Sequence, residues 1–402
     1  MASNRPSTLL LRVDGFGWQD CLATGPGSAI LGSLLFSALF LSPMSAKFLL
    51  RVAGTLLLAW AAAAACVALH TPLPWMLGPL VATSVLSMAG APTESWGPLR
   101  NGGQWAIGAA LGLYFTPEVS ALVGSLWWAI VLGIGWALLL GWGFGAWLYR
   151  LHAPRMHGVP ASMLRSTSYF AGAIGAASEM TLLSERENAR TDLVAASHSL
   201  RLLIVTITIP FALQWSGLQG LDILIPTVRE VSWPGLALLA LLTGAGALVM
   251  DRLGRANPWF MGAMLVSMAV TMAGLHLSAV PQALVNAAQL VIGVSLGVRF
   301  RAEFLHTAPR WLASVAVGTF GLMGICAAFA AVLAWATGLP WVTLLLGTSP
   351  GGITEMAITA KVLQLGVPVV TAFQVCRLIA VLMLVGPMFR RIYPPTEGGS
   401  AI

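Results

Sequence analysis

Two stretches of this chain, nearly half its length apart, are close to the same sequence. LPWMLGPLVATSVLSMAG (73–90) returns as NPWFMGAMLVSMAVTMAG (257–274), so that Pro74, Trp75, Gly78, Met88, Ala89 and Gly90 recur as Pro258, Trp259, Gly262, Met272, Ala273 and Gly274. After a one-residue insertion the match continues: NGGQWAIGAALGLYF (101–115) returns as NAAQLVIGVSLGVRF (286–300). Toward the end of each half a Glu-Met pair is followed at one fixed spacing by an arginine, Glu179-Met180 with Arg201 and Glu355-Met356 with Arg377. Order and spacing held over such distances mean an internal duplication, with a period far too long for a solenoid. Duplicated hydrophobic chains are typical of secondary transporters, whose sites lie between the two halves.

The duplicated unit has to fold in lipid. Of 402 residues, 57% are hydrophobic and 9% charged, with a mean hydropathy of +0.84, whereas a soluble domain carries about 25% charged residues. That much apolar surface cannot be hidden inside one chain, and only helices or closed barrels satisfy their backbone in hydrocarbon. The apolar runs are long and continuous, without barrel-type alternation, so the expected fold class is an all-α polytopic membrane protein. The net charge of +7 is not read as a nucleic-acid signal. Basic residues of membrane proteins collect in cytoplasmic loops, and no cluster is dense enough for a DNA surface. Cys21, Cys66, Cys326 and Cys376 show no metal or disulfide spacing, and of the histidines only His152 and His157 are close. No cofactor is expected. The expected partners are the bilayer and a small solute, without direct nucleic-acid binding; a homo-oligomer is compatible with such a chain.

Residues 1–43 read as an N-terminal extension ahead of Met44, 44–217 as the first repeat, 218–231 as a linker, 232–391 as the second repeat and 392–402 as a short cytoplasmic tail. Each repeat shows six apolar elements: 47–70, 73–90, 101–115, 120–149, 160–183 and 192–215, then 232–250, 258–275, 285–299, 311–337, 340–362 and 368–389. The second and third of each half are short, a pointer to a binding site when it recurs in both halves. Basic residues flank opposite ends of equivalent elements: Lys47, Arg51, Arg100, Arg150, Arg155 and Arg165 in the first half, and Arg252, Arg255, Arg299, Arg301, Arg310, Arg390 and Arg391 in the second. The positive-inside rule then turns the halves in opposite directions. An odd number of crossings is required, so the expectation is two inverted repeats of about five spans plus one re-entrant or broken element each. Six full crossings in parallel repeats is the alternative. The fifth element is the one to break, because TSPGGITEM (348–356) carries Pro-Gly-Gly.

Three sets of residues could carry chemistry. Arg201 and Arg377 lie inside apolar runs, where a charge costs about 2.5–3.5 kcal/mol and is normally paired or faces water. With Glu179 and Glu355 they either line a central cavity, Arg holding an anion and Glu carrying a proton, or form structural ion pairs; which Glu meets which Arg is open. Ser349, Gly351, Gly352 and Thr354 offer amides and hydroxyls before a helix N-terminus, which favours anions. Their counterpart AGAIGAASEM (171–180) lacks Pro-Gly-Gly, so the second half is expected to dominate any shared site. Gln104 with Asn101, Gly108 and Gly112 makes one helix face, and Gln289 with Asn286, Gly293 and Gly297 repeats it. That face serves either solute binding or, the preferred reading, close helix packing.

The PW-x-x-G…MAG, Q-x-x-I-G-x-x-L-G and PGG-x-x-EM…Q-x-x-R blocks resemble the AbrB-duplication family of bacterial inner-membrane proteins, over about residues 47–390; Gln374 and Arg377 carry the last block. The resemblance implies a multi-pass inner-membrane protein, and its members carry two labels, ammonia monooxygenase and transcriptional regulator. A monooxygenase needs clustered metal ligands, and His198 and His276 are far apart, with His198 aligned to Gln374. The chain is therefore not expected to be an enzyme. The expected function is secondary transport of a small anionic or zwitterionic solute. The alternative is a membrane sensor that influences gene expression, for which the short tail and loops offer no output domain.

Overall fold

The computed structural model describes residues 46–156, 158–217, 230–300 and 308–394; the N-terminal extension expected at 1–43, most of the expected linker and the end of the tail lie outside them. Every regular element among the described residues is α-helical. The first half contains α1 (Ala46–Ala68), α2 (Pro74–Met88), α3 (Gly97–Gly112), α4 (Pro117–Ser125), α5 (Trp127–His152), α6 (Ala161–Gly172), α7 (Ala177–Arg186) and α8 (Thr191–Ser216). The second contains α9 (Trp233–Arg252), α10 (Pro258–Met272), α11 (Gln282–Gly297), α12 (Pro309–Thr337), α13 (Trp341–Thr348), α14 (Ile353–Val362) and α15 (Val367–Ile392). By the duplicated blocks α2 corresponds to α10, α3 to α11, α5 to α12, α6 and α7 to α13 and α14, and α8 to α15. The described residues from Arg51 onward form one compact unit.

Six helices are long and apolar enough to cross a membrane alone: α1, α5, α8, α9, α12 and α15. The chain is a helical membrane protein. The short second and third elements expected from sequence are α2, α3, α10 and α11. At 15 or 16 residues each reaches only ~24 Å at 1.5 Å per residue, less than the ~30 Å hydrocarbon core. The fourth element of the first half is not one helix as expected. It divides at Leu126 into α4 and α5, and α4 turns 89° away from α3.

The repeated blocks make the same local structure twice. Pro74 and Pro258 open their helices at a position where the missing N–H costs nothing, each after a residue in the left-handed region, Leu73 and Asn257, both at φ 47°. Gly90 and Gly274 close the two MAG blocks at φ 83° and 74°, the left-handed conformation that ends a helix at little steric cost to glycine.

Packing exchanges elements between the halves: α2 lies along α11, and α3 along α10, each pair parallel. Added Cβ atoms at Gly108 and Gly112 would stand 2.3 and 2.5 Å from the carbonyl oxygens of Phe260 and Met264, and at Gly293 and Gly297 2.5 and 2.7 Å from those of Met76 and Leu80. The glycines of the repeated helix face are therefore contact surfaces, the packing role preferred from sequence. Ser267 Oγ donates across one seam to the Ala109 carbonyl at 2.7 Å, and Ser87 Oγ across the other to that of Val298 at 3.3 Å. Helices α3 and α11 meet where Gly103 abuts the Ala288 carbonyl, the same position of the two copies. The equivalent spans α5 and α12 run antiparallel. His152 bonds Ser314, Phe144 and Trp147 cover Gly318, and Trp136 stacks on Phe329 at 4.5 Å.

Candidate functional site

The fifth element is broken in both halves, in the first without a Pro-Gly-Gly. Between α6 and α7 the backbone is extended at Ala173 (φ −54°, ψ 139°) and Ala176 (φ −71°, ψ 139°). Between α13 and α14 it is extended at Ser349 (φ −61°, ψ 148°) and Gly352 (φ −77°, ψ 150°). The Pro-Gly-Gly present in one copy is thus not what makes the break. A helix that stops at membrane depth leaves its last carbonyls without partners, and an arginine from the next span supplies them.

Arg201 of α8 donates to the carbonyls of Ala171 and Gly172, both at 3.3 Å, and of Ala173 at 2.8 Å. Arg377 of α15 donates to the carbonyls of Ser349 and Gly351, the latter at 2.8 Å. Each cation also meets the negative end of a half-helix dipole. Among the described residues neither arginine forms an ion pair with Glu179 or Glu355, so the Glu–Arg pairing expected as one reading is absent. The guanidinium had better-placed acceptors in the severed helix.

Each arginine is steered by a residue one turn earlier. Gln374 donates to the Leu346 carbonyl at 2.7 Å and accepts from Arg377 at 2.6 Å. His198 bonds the Phe170 carbonyl at 2.9 Å and Arg201 at 2.8 Å. Phe170 and Leu346, like His198 and Gln374, are equivalent positions. Two different side chains therefore complete the same cap.

Both breaks open on one cavity of about 110 Å³. Equivalent residues of the two halves line it: Gly175 and Gly351, Ala176 and Gly352, Ser178 and Thr354, Arg201 and Arg377. The N-terminal ends of α7 and α14 thus face the same space with their positive dipole ends. The start of α3 adds Arg100 and Gln104, the residue before α10 adds Asn257, and the end of α11 adds Ser295 and Arg299. Four arginines and one carboxylate, Glu355, border the cavity. Glu355 is 7% exposed and Arg377 6%, and Nε of both Arg377 and Arg100 is buried without a hydrogen-bond partner. At this depth, low polarity strengthens the field of the cations on anything within.

The protein-family model described as transition state regulatory protein AbrB matches residues 75–393, which include every residue lining this cavity. The chain belongs to the AbrB family. One relative in Escherichia coli strain K12, named "Putative regulator AbrB", is 26% identical over 332 residues, 81% of this chain and 91% of its own. Another, in Bacillus subtilis strain 168, named "Uncharacterized protein YhjN", is 24% identical over 355 residues, 79% of this chain and 87% of its own. No solved structure gives a significant match.

Of the site residues expected from sequence, the cavity of this AbrB-family chain gathers Gln104, Arg201, Gly351, Gly352, Thr354, Glu355 and Arg377. Four others lie outside its lining. Glu179 accepts from the Ser178 hydroxyl at 2.7 Å. Ser349 turns its hydroxyl to the Leu346 carbonyl and Met356. Gln374 acts through Arg377, and Gln289 is buried in the helix contact. Arg100 and Arg299, counted from sequence as loop charges, line the cavity instead. The missed signal was their position at the two ends of the repeated amide helix, Arg100 directly before Asn101 and Arg299 directly before Phe300.

Proposed function

We propose that this AbrB-family chain is a secondary transporter of the bacterial inner membrane, moving a small anionic or zwitterionic solute through the cavity between two inverted repeats. The observation that carries this reading is the pairing of equivalent residues around one cavity: the two severed elements, with Arg201 and Arg377 behind them, border the same space. Transporters of this type hold substrate at half-helix ends near the midplane, between repeats related by an in-plane two-fold. The antiparallel course of α5 and α12 and the meeting of Gly103 with Ala288 fit that relation.

The test is flux. Purified protein in proteoliposomes is given labelled organic acids, inorganic anions and amino acids, with and without a proton gradient. A companion variant, Ser178→Cys in a cysteine-free background, reports access to the cavity, because Ser178 lines it and is exposed. Saturable flux, with the introduced thiol labelled from either face of the membrane in turn, is the expected result. Absence of flux together with labelling from one face only would replace transport by a sensor using the same cavity. The printed name of the E. coli relative favours that second reading.

A further inference from the structure

The two copies of the severed element differ in where they send their glutamate. In the second copy the Glu355 carboxylate lies over the N-terminus of α14, in the space a side chain at position 352 would fill. A Cβ built on Gly352 would stand 1.9 Å from Glu355 Oε2. Glycine there is not needed for the backbone, whose φ of −77° suits any residue. What it provides is room. In the first copy the same position is Ala176, and Glu179 lies outside the cavity lining, bound by its neighbour Ser178. At this position the two copies differ by one methyl group, and their glutamates lie on different sides of the cavity lining.

Glu355 occupies the place an anionic ligand would take. It sits at the positive end of α14, is more than nine-tenths buried, and makes no ion pair within the described residues. The charged or titratable groups facing it are Arg100 from α3, His198 and Arg201 from α8, Arg299 after α11 and Arg377 from α15; α13 contributes none. Buried Nε donors on Arg377 and Arg100 remain unused, so the cavity holds more donors than Glu355 takes.

Resting on the transport reading above, we infer that the solute is a small oxyanion and that Glu355 is a built-in competitor for its place, which must take up a proton as the anion enters. Two negative charges in one buried site do not both persist. The proton adds to the Glu355 carboxylate, its charge passes to the incoming anion, and the sum of charge in the cavity is unchanged. A loaded site opening inward would release the anion, and Glu355 would give up its proton as it returns, so anion and proton would move in the same direction.

The experiment needs no flux. Binding of sulfate and of acetate to the purified full-length protein is followed by titration calorimetry in two buffers of different ionisation heat, across about pH 6 to 8. Wild type is expected to take up about one proton per bound anion, with affinity falling about tenfold per pH unit. Glu355→Gln is expected to bind with no proton uptake and no pH dependence. Gly352→Ala, which keeps the carboxylate and displaces it as in the first copy, is expected to lose the proton uptake as well. Unchanged linkage in either variant, or loss of anion binding in Glu355→Gln, overturns the competitor role. No binding of either probe to wild type, beside flux of a zwitterion in vesicles, overturns the oxyanion class and leaves transport standing. Proton-linked binding without flux leaves this inference and removes transport.

Discussion

His198 offers a sharp test of whether the two arginine caps are one device built twice. The ring stands between the Phe170 carbonyl at 2.9 Å and Arg201 at 2.8 Å. Arginine can only donate, so Nδ1 accepts and the ring proton is on Nε2, donating to Phe170. Gln374 makes the same two bonds with an amide, to the Leu346 carbonyl and from Arg377. His198→Gln therefore recreates at one site what exists at the other, and its expected cost is under about 1 kcal/mol. His198→Leu leaves the Phe170 carbonyl and one guanidinium N–H buried without partners. At ~1–3 kcal/mol for each orphaned group, and with partial relaxation, the expected loss is about 2–4 kcal/mol. The assay is thermal unfolding of the detergent-solubilised protein followed by tryptophan fluorescence, beside the binding titration. The glutamine variant should melt near wild type and bind normally, and the leucine variant several degrees lower. Equal damage from both substitutions would refute the equivalence, and would mean that the imidazole does something an amide cannot.

Gly108→Ala forces a Cβ to 2.3 Å from the Phe260 carbonyl oxygen and must part α3 from α10 by about 1 Å, a cost of ~1–3 kcal/mol read as a lower melting temperature; Gly143→Ala, with nothing within 4 Å, is its control and should be neutral or slightly stabilising. Arg201→Lys keeps the charge but loses the fork that reaches three carbonyls, and should cost at least ~2 kcal/mol, whereas a purely electrostatic role would leave stability unchanged. Arg390 holds Glu187 at 2.8 Å with its own side chain 67% exposed; Arg390→Ala should change stability by no more than ~1 kcal/mol, and a larger loss would show the pair to be structural.

The helices, their order and their equivalences were legible because each rests on local chemistry that the duplication copied: Pro-Trp at a helix start, a left-handed glycine at its end, glycines on one face. A break was expected in the fifth element of each half, but only the second copy gave a local reason for it, in proline and glycine; in the first it rested on the charge parity and the duplication. The first copy breaks with alanines at the same angles, because the stabilising agent is Arg201, a residue two helices away in sequence. Tertiary hydrogen bonding of this kind leaves no periodicity to read. The same limit explains Arg100 and Arg299. A loop-charge count assigns arginines to a side of the membrane by neighbourhood in sequence, whereas these two are brought to the cavity by the crossing of α3 over α11 at Gly103 and Ala288.

The repeated sequence blocks make matching local structures, and the site built on them is not symmetric. Where the copies agree, at Arg201 and Arg377 or Gly175 and Gly351, the shared task is to hold open a severed helix. Where they differ around the cavity, the differences run both ways: Asn257 against Leu73 and Arg299 against Tyr114 put the more polar residue on the second repeat, Arg100 against Val285 puts it on the first, and Gly352 against Ala176 leaves more room on the second. A symmetric cavity would present the same field to a solute from both membrane faces. With Glu355 inside and Glu179 outside its lining, the carboxylate belongs to one repeat only, and rocking of that repeat against the other would carry the charge with it. The direction of the asymmetry makes a demand on any variant that restores it. Ala176→Gly alone opens the space over α7, and if room is what decides the glutamate's position, Glu179 should turn inward and a second proton should accompany anion binding. Proton uptake that stays at about one in this variant would show instead that Ser178, which bonds Glu179 at 2.7 Å and has Thr354 as its counterpart, holds the carboxylate out.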